Sequence, residues 1–279
     1  MSPAADIQAL EARARAFRKT ILQIITRAGS GHPGGSLSVI DIVPALYFHH
    51  MRHDPANPAW PDRDRFVLSK GHACPAWYVA LADAGYFDPK HLWMLRELGA
   101  LLQGHPDMTR TPGIDMSTGS LGMGFSAAAG MALAGKRDGR AYRVYAVLGD
   151  GESQEGSVWE TAMFAAHYGL DNLTAIVDRN GLQQTGRTEE RIRLDPVADK
   201  WRAFTWDVQE INGHDMAALV DAVARAKTVS GRPQAIVAHT IKGKGVSFIE
   251  GVVAFHGKAL SKAELERALT ELDAEPARR

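Results

Sequence analysis

Cysteine is almost absent from this chain of 279 residues. Cys74 is the single cysteine, so no disulfide can form within the chain. This usage fits a reducing compartment, where disulfides are rare. A lone cysteine typically behaves as a small buried apolar residue, and we interpret Cys74 in that way. Cysteine content therefore predicts a cytoplasmic protein that depends on its core rather than on disulfides.

An excess of charge and a long apolar run are also absent. Lys and Arg number 32 and Asp and Glu number 32, and no basic run interleaves with aromatic residues, so nothing favours nucleic acid as a partner. The longest run of apolar and small residues, 125–135, is too short and too rich in glycine to span a bilayer. Residues 1–20 contain acidic residues and lack a secretory apolar core, which indicates an amphipathic helix. We therefore expect no membrane partner.

Strand-like and helical patterns alternate in the second half of the chain. Apolar residues recur at helical spacing in 158–167 and 216–227. Short apolar runs typical of strands flank these segments at 143–148, 173–178, 206–211 and 235–240. Such alternation predicts an α/β fold in which helices flank a parallel sheet.

The first half of the chain has more helical character. Its pattern predicts helices at 6–27 and 37–50, separated by a loop of helix-breaking residues at 30–36. The run 65–69 predicts one short strand. No linker, repeat or low-complexity segment interrupts the sequence, so we expect a single domain across 1–279 with a frayed tail at 274–279.

The segment GDGESQEG, residues 149–156, directly follows one of the strand-like runs. In an open parallel sheet, ligands bind beyond the carboxyl ends of the strands. The two glycines that flank Asp150 allow unusual backbone angles and close approach of a ligand, and the N-terminus of the following helix suits a phosphate. Asp150 would repel that phosphate unless a cation lay between them. The segment therefore predicts a divalent cation that bridges carboxylate and phosphate oxygens.

The segment DRNGL, residues 178–182, follows the next strand-like run. A right-handed crossover through one helix places the two strands side by side or nearly so, and Asn180 then reaches the same edge as Asp150. The Asn180 amide oxygen is a second hard ligand, and the Leu182 carbonyl is the candidate for a third. With two diphosphate oxygens and a water, this set forms an octahedron suited to magnesium. The alternative, a turn-forming Asp150, does not account for the spacing.

Together these two segments resemble the thiamine diphosphate motif. Further stretches are similar to transketolases specifically, and they follow the order of that family along nearly the whole chain. They are SGHPGGS (30–36), SKGHA (69–73), QGHPD (103–107), STGSLGMG (117–124), TIKGKG (240–245) and FHG (255–257). Each stretch alone is weak, but the combination is specific to this family.

The resemblance implies three groups of site residues. The metal ligands are Asp150, Asn180 and the carbonyl of Leu182. The residues that face the sugar and exchange protons with its hydroxyl groups are His32, His105 and His256. The residues that contact the cofactor are His72, Gly119, Ser120, Leu121, Gly151, Glu155, Asn180, Lys242 and again His256. Without the resemblance, the loop histidines and Lys242 would be interpreted as solvated side chains.

The implied activity is carbanion chemistry that thiamine diphosphate makes possible, with Mg²⁺ as the metal and Ca²⁺ or Mn²⁺ as possible substitutes. A two-carbon ketol unit passes from a ketose, or ketose phosphate, to an aldose. Full-length transketolases carry a second domain that supplies the glutamate needed to activate the cofactor, and this sequence does not contain it. The resemblance therefore implies the N-terminal subunit of a split transketolase, whose partner in a heterotetramer is the C-terminal subunit.

Two other functions and one residue stay open from the sequence. The chain could be the diphosphate-binding subunit of a 2-oxo acid dehydrogenase complex, although that chemistry does not need histidines for sugar hydroxyls. It could also be a cofactor-binding module without catalytic activity. Glu160 resembles an acidic residue of the family, but Ser157 and Glu160 also have capping-box spacing, so a helix cap is the alternative.

Overall fold

The structure, a computed structural model, describes residues 3–274. Its helices are α1 (Pro3–Ala28), α2 (Pro33–Val39), α3 (Ile42–Ala45), α4 (Cys74–Ala84), α5 (Met123–Arg137), α6 (Gly156–His167), α7 (Thr188–Arg191), α8 (Val197–Ala203), α9 (Met216–Ala226) and α10 (Lys262–Ala274). Its strands are β1 (Arg65–Leu68), β2 (Val144–Gly149), β3 (Leu173–Arg179), β4 (Leu182–Gln183), β5 (Gly186–Arg187), β6 (Asp207–Asn212) and β7 (Gln234–His239). Short 3-10 segments occur at Gly71–Ala73, Pro89–Met94, Glu152–Gln154 and Val253–His256.

The main sheet has the strand order β1-β2-β3-β7-β6, and every neighbouring pair is parallel. Alternate strand residues point to opposite faces of the sheet, and helices pack on both faces. In β3, Ile176 packs into the core with residues of α1, α4 and α9, whereas Ala175 and Val177 pack with residues of α5, α6 and α8. Burial on both faces explains why these strands are nearly continuous apolar runs. The predicted α/β fold with a parallel sheet is confirmed.

The region that follows α1 differs from the sequence prediction. Residues 33–36, predicted as a loop, form the first turn of α2, because a proline at the first helical position lacks only an N–H that would be unpaired anyway. The predicted helix 37–50 is interrupted after Val39 and continues as α3 and a π-helical turn at Leu46–His50. Pro44 accounts for this break, since its ring clashes with the carbonyl four residues earlier and it has no N–H to donate.

The helix caps expected from the sequence are present at α9 and α10. Asp215 Oδ1 accepts a hydrogen bond from the N–H of Ala218 at 3.0 Å. Ser261 and Glu264 form a reciprocal capping box, with distances of 3.2 and 2.7 Å.

The C-terminal helix extends into the predicted tail. Ala274 is the last residue of α10 rather than part of a frayed end, and residues 275–279 lie outside the described residues. The prediction of a single domain across 1–279 stays a prediction. Between residues 3 and 274, no helix combines the length and the apolar character that a membrane span requires.

Candidate active site

A cleft of about 380 Å³ opens at the carboxyl ends of β2 and β3. Gly149 of β2 lies beside Asp178 of β3 in the parallel pairing, so the residues that follow both strands meet at one edge of the sheet, as predicted. The predicted site residues that line the cleft are His32, His72, His105, Gly119, Leu121, Asp150, Gly151, Glu155, Asn180, Leu182, Lys242 and His256. Ser120 is exposed beside the cleft and is not among its lining residues.

Asp150 is 1% exposed and is held by backbone N–H groups. Its Oδ1 accepts from Gly151 at 2.8 Å, and its Oδ2 accepts from Gly181 at 2.5 Å and lies 3.1 Å from Nη1 of Arg179. Burial raises the pKa of Asp150, and the Asp178 carboxylate raises it further, while Arg179 acts in the opposite direction. A divalent cation would favour the ionised carboxylate, so the electrostatics of this position suit a metal ligand.

Asn180 and Leu182 lie on the turn that follows β3. Asn180 Oδ1 accepts a hydrogen bond from the N–H of Leu182 at 3.1 Å. The Leu182 carbonyl accepts from Nζ of Lys242 at 3.1 Å, and the same Nζ lies 2.8 Å from Nδ1 of His256. Burial, and then the nearby Lys70, lowers the pKa of Lys242 to about 8. A buried cation thus stands between the candidate metal ligands and the histidines.

The glycine segment differs in detail from the prediction. Gly151 has a φ of −60°, so it does not use the left-handed backbone that glycine permits. Glycine is needed here because Gln183 packs closely against it: a Cβ built on Gly151 would lie 2.9 Å from Cβ of Gln183. The helix α6 does not start directly after Asp150 either, since the 3-10 turn Glu152–Gln154 comes between them.

Four histidines from distant segments converge on the other side of the cleft. The ring centroid of His32 lies 5.2 Å from that of His72, 6.3 Å from that of His105 and 5.5 Å from that of His256. Burial is the largest cause that lowers the pKa of each ring, to about 4 for His32 and about 3 for His256, and well below the ordinary value for His72. The imidazoles are therefore neutral near pH 7, and each has a ring nitrogen that can accept a hydrogen bond.

Three buried ionisable residues that support the cleft were missed from the sequence. Lys70 Nζ forms an ion pair with Asp178, whose Oδ2 also accepts from Ser38 Oγ at 2.5 Å. Glu152 accepts from Ser69 Oγ at 2.5 Å, from Gly122 N–H at 2.8 Å and from Gly149 N–H at 3.0 Å. Their positions inside the stretches SKGHA, DRNGL and GDGES were a signal, but partners so far apart in sequence could not be paired without the fold.

Glu155 and Glu160 lie at the N-terminal end of α6, and both are exposed. Glu155 occupies the N-cap position, and no side chain caps the helix there. Ser157 lies within the first turn, so the capping-box interpretation of Ser157 and Glu160 is wrong. Glu160 instead lines a surface groove between α5 and α6, together with Ser126, Gly130 and Phe164.

Comparison with known proteins identifies the family. The family model "Transketolase, thiamine diphosphate binding domain" matches residues 10–279. The chain is 51% identical over 268 residues to "6-deoxy-6-sulfo-D-fructose transketolase subunit SqwG" of Clostridium sp. (strain MSTE9), covering 96% of this chain and 98% of that protein. It is 42% identical to one subunit of the apulose-4-phosphate transketolase of Phocaeicola vulgatus, covering 96% of this chain and 95% of that protein.

Solved structures agree with these matches. The transketolase of Campylobacter jejuni superposes with a TM-score of 0.91 at 33% identity, covering 95% of this chain and 43% of that one. The transketolase of Leishmania mexicana gives a TM-score of 0.89 at 30% identity, covering 97% and 42%. The chain thus spans less than half the length of these solved transketolases, although it matches nearly the full length of the relatives named as subunits.

The chain belongs to the transketolase family, and its fold is that of a thiamine diphosphate-binding domain. Within that family it corresponds to the N-terminal subunit of a split transketolase, an enzyme of the transferase class. The resemblance seen in the sequence is confirmed. These matches do not favour the two alternatives, the module without activity and the subunit of a 2-oxo acid dehydrogenase complex.

Proposed function

We propose that this chain, assembled with a separate C-terminal transketolase subunit in the cytoplasm, transfers a two-carbon ketol unit from a ketose to an aldose. The observation that carries the proposal is the convergence of four neutral histidines and a set of oxygen ligands on one cleft. Oxygen ligands suit a hard cation, and neutral histidines suit proton exchange with sugar hydroxyl groups.

The residues of the cleft fit a magnesium ion and a diphosphate. Asp150, Asn180 and the Leu182 carbonyl are hard oxygen donors on one edge, and they would hold Mg²⁺, for which Ca²⁺ or Mn²⁺ could substitute. Lys242, only 2% exposed, would balance the negative charge of the diphosphate, with the Gly151 backbone and His72 beside it. Gly119, Ser120 and Leu121 would border the rings of the cofactor. Thiamine diphosphate supplies the electron sink that stabilises a carbanion at the carbonyl carbon of the substrate.

The histidines His32, His105 and His256 would bind the sugar and move its hydroxyl protons. Their lowered pKa values keep the rings neutral, so each can accept a hydrogen bond from a hydroxyl group. The negative charge of a bound diphosphate would raise these pKa values towards the working pH, where proton exchange is efficient. Nδ1 of His32 is buried and has no hydrogen-bond partner among residues 3–274. A buried polar atom without a partner is unfavourable, and a bound hydroxyl group or water would satisfy it.

The partner is supported by an apolar face on α5 and α6. Met123, Met163, Phe164 and Tyr168 are between 37 and 55% exposed, and the groove between α5 and α6 is lined mainly by small residues, together with Glu160 and Phe164. Several large apolar side chains exposed on neighbouring helices typically mark a protein interface. Glu155 lies at the edge of the same face and lines the cleft, so a partner docked there would also reach the cofactor. We propose a heterotetramer with two copies of each chain.

The test uses the two chains together. The tagged chain is purified from its native host, the co-purifying transketolase C-terminal subunit is identified by mass spectrometry, and both are then produced separately. Each chain alone, and the pair, is given thiamine diphosphate, Mg²⁺, an aldose acceptor and a ketose donor. We expect two-carbon transfer only from the pair. Turnover by this chain alone, or none by the stable pair with any donor, would overturn the proposal.

The donor is tested in three arms. These are a ketose phosphate, a ketose with a terminal sulfonate and a neutral ketose, because two relatives are named for a sulfonated sugar and for a sugar phosphate. We expect an anionic donor to be preferred. The mass of the reconstituted complex, measured by sedimentation, tests the heterotetramer, and Met163→Glu should weaken assembly whereas Leu98→Glu, a fully exposed control, should not.

A further inference from the structure

Arg96 has an unusual backbone conformation. Its φ is 65°, and among the described non-glycine residues only Thr205, at 66°, shares a left-handed φ. This conformation costs an L-residue about 1–2 kcal/mol, whereas glycine adopts it freely. The backbone at position 96 would therefore favour glycine, and what arginine adds is its side chain.

The Arg96 side chain packs directly on Gly104. A Cβ built on Gly104 would lie 2.9 Å from Cζ of the guanidinium, so any larger residue would displace it. The N–H of Arg96 donates to the Leu102 carbonyl at 2.8 Å, which folds the loop back towards Gly104. Among residues 3–274, no carboxylate lies within ion-pair distance of this guanidinium, so its contact with Gly104 is not a by-product of a salt bridge.

Helix α4 holds the same loop from the opposite side. The Tyr78 hydroxyl lies within hydrogen-bonding distance of the carbonyls of Gln103, at 3.0 Å, and His105, at 2.9 Å. The Cys74 thiol donates to the Gly104 carbonyl at 3.3 Å. The three residues that end in His105 are therefore fixed between α4 and the Arg96 guanidinium.

His105 in turn packs against the glycine loop of the cleft. A Cβ built on Gly119 would lie 2.8 Å from Cδ2 of His105. The packing thus runs without a gap from Arg96 through Gly104 and His105 to Gly119. His32, with its ring 6.3 Å away, faces the same imidazole, while Asp107 on the same loop is engaged by Arg110 at 3.7 Å.

We propose that Arg96 is a positioning residue for His105: with Tyr78, it fixes the loop that aims this imidazole into the cleft. This inference rests on the proposed function, in which His105 exchanges protons with the sugar. The charge of Arg96 has a second effect. Burial lowers the pKa of His105 and Arg96 lowers it further, and Arg96 also contributes to the lowered pKa of His32.

The informative variant is Arg96→Gly, because it removes the side chain and accepts the left-handed backbone. Thr205→Gly is the matched control, since it relieves the same backbone conformation at an exposed position remote from the cleft. Both variants should keep a melting temperature within about 2 °C of the parent. Glycine relieves the backbone strain of the folded state, and this gain roughly offsets the greater conformational entropy that glycine gives the unfolded chain. In the reconstituted enzyme, Arg96→Gly should lower kcat about tenfold or more, because a misplaced catalytic group slows the reaction. The affinity for the cofactor should stay unchanged.

A readout independent of turnover separates this inference from the proposed function. In the lone chain at low ionic strength, the His105 ring is titrated by NMR, with its signal identified by its loss in His105→Gln. Removing a cation should raise the His105 pKa in Arg96→Gly by about 0.5. In the enzyme, the acidic limb of the kcat profile should move to higher pH by a similar amount.

Arg96→Lys distinguishes charge from packing. It keeps the cation but loses the planar guanidinium that covers Gly104, so the His105 pKa should stay near that of the parent while kcat recovers only in part. If Arg96→Gly matches Thr205→Gly in both the His105 titration and kcat, the positioning role is overturned. If the parent pair shows no two-carbon transfer, the proposed function fails, while the titration still tests the contact between Arg96 and His105.

Discussion

The two sides of the cleft are built in different ways. The proposed metal-binding edge comes from Asp150, Asn180 and Leu182, which follow two adjacent strands. Backbone N–H groups hold the side chains of Asp150 and Asn180, and Lys242 holds the Leu182 carbonyl. The histidine side comes from His32, His105 and His256, which lie on loops far apart in the sequence. Strand ends are fixed by the sheet, whereas loops depend on contacts such as those of Arg96 and Tyr78. The edge therefore suits a ligand that must be held in place, and the loops suit groups that exchange protons.

Burial acts on both sides but with opposite sign. It raises the pKa of Asp150 and lowers the pKa values of the histidines, so on each side it disfavours the charged form. A metal and a diphosphate would reverse this effect at the edge, because they supply partner charges. The same anion would raise the lowered pKa values of the histidines towards the range in which they exchange protons.

The largest expected effect separates the edge from the histidines. Asp150→Ala and Asn180→Ala should each abolish magnesium-dependent binding of thiamine diphosphate, because a hard cation loses one of three protein ligands. Calorimetry on the folded chain measures this directly. Asp138→Ala, at the exposed end of α5, is the control and should bind as the parent does. If both site variants bound thiamine diphosphate with the affinity of the parent, the assignment of Asp150 and Asn180 as metal ligands would be wrong.

The buried ion pair behind the edge should dominate stability. Lys70→Met leaves Asp178, which is fully buried, without its partner, so the free energy of unfolding should fall by about 3–5 kcal/mol. Urea denaturation measures the loss. The double variant Lys70→Met/Asp178→Asn should recover part of it, because no buried charge is left alone. A loss below about 1 kcal/mol in the single variant would show that the pair contributes little.

The histidine side should affect turnover more than cofactor binding. His32→Ala and His105→Ala should each lower kcat/KM about 100-fold, the usual contribution of a positioned acid or base, while cofactor affinity changes little. His49→Ala, an exposed histidine outside the cleft, is the control. If either site variant mainly lowered the affinity for the cofactor instead, that histidine would be assigned to cofactor binding, together with the proposed metal-binding edge.

The smallest effect is acid sensitivity of the fold. The pKa is lowered by burial from 6.5 to about 4 for His32 and to about 3 for His256. The unfolded chain therefore binds more protons than the folded chain between about pH 6.5 and pH 4, and the free energy of unfolding falls as the pH drops through this window. Despite burial, Arg18 and His214 hold the pKa of Asp41 at about 2, so that carboxylate stays ionised there.

Thermal unfolding from pH 7 to 5 checks this expectation. The melting temperature of the cofactor-free chain should fall by a few degrees, and the double variant His32→Asn/His256→Asn should show a shallower slope because its side chains do not titrate. The same slope in both proteins would mean that other groups control the acid response.

The sequence by itself determined the α/β class, the five strands of the main sheet and the adjacency of Asp150 and Asn180. Strong periodicity and the handedness of a crossover are local rules, and they hold in β2, α6 and β3. The family resemblance rests on short glycine and histidine motifs, which can be identified in the sequence without knowing how the chain packs.

Tertiary structure alone decided the contacts between distant segments. The Lys70–Asp178 pair and the hydrogen bonds of Glu152 with Ser69 and Gly122 join residues that no local pattern relates. The same holds for Arg96, whose left-handed backbone and contact with Gly104 leave no mark in the periodicity. The physical reason is that periodicity reports which face of an element is buried, whereas the partner of a buried charge, or of a glycine, is set by how the whole chain packs.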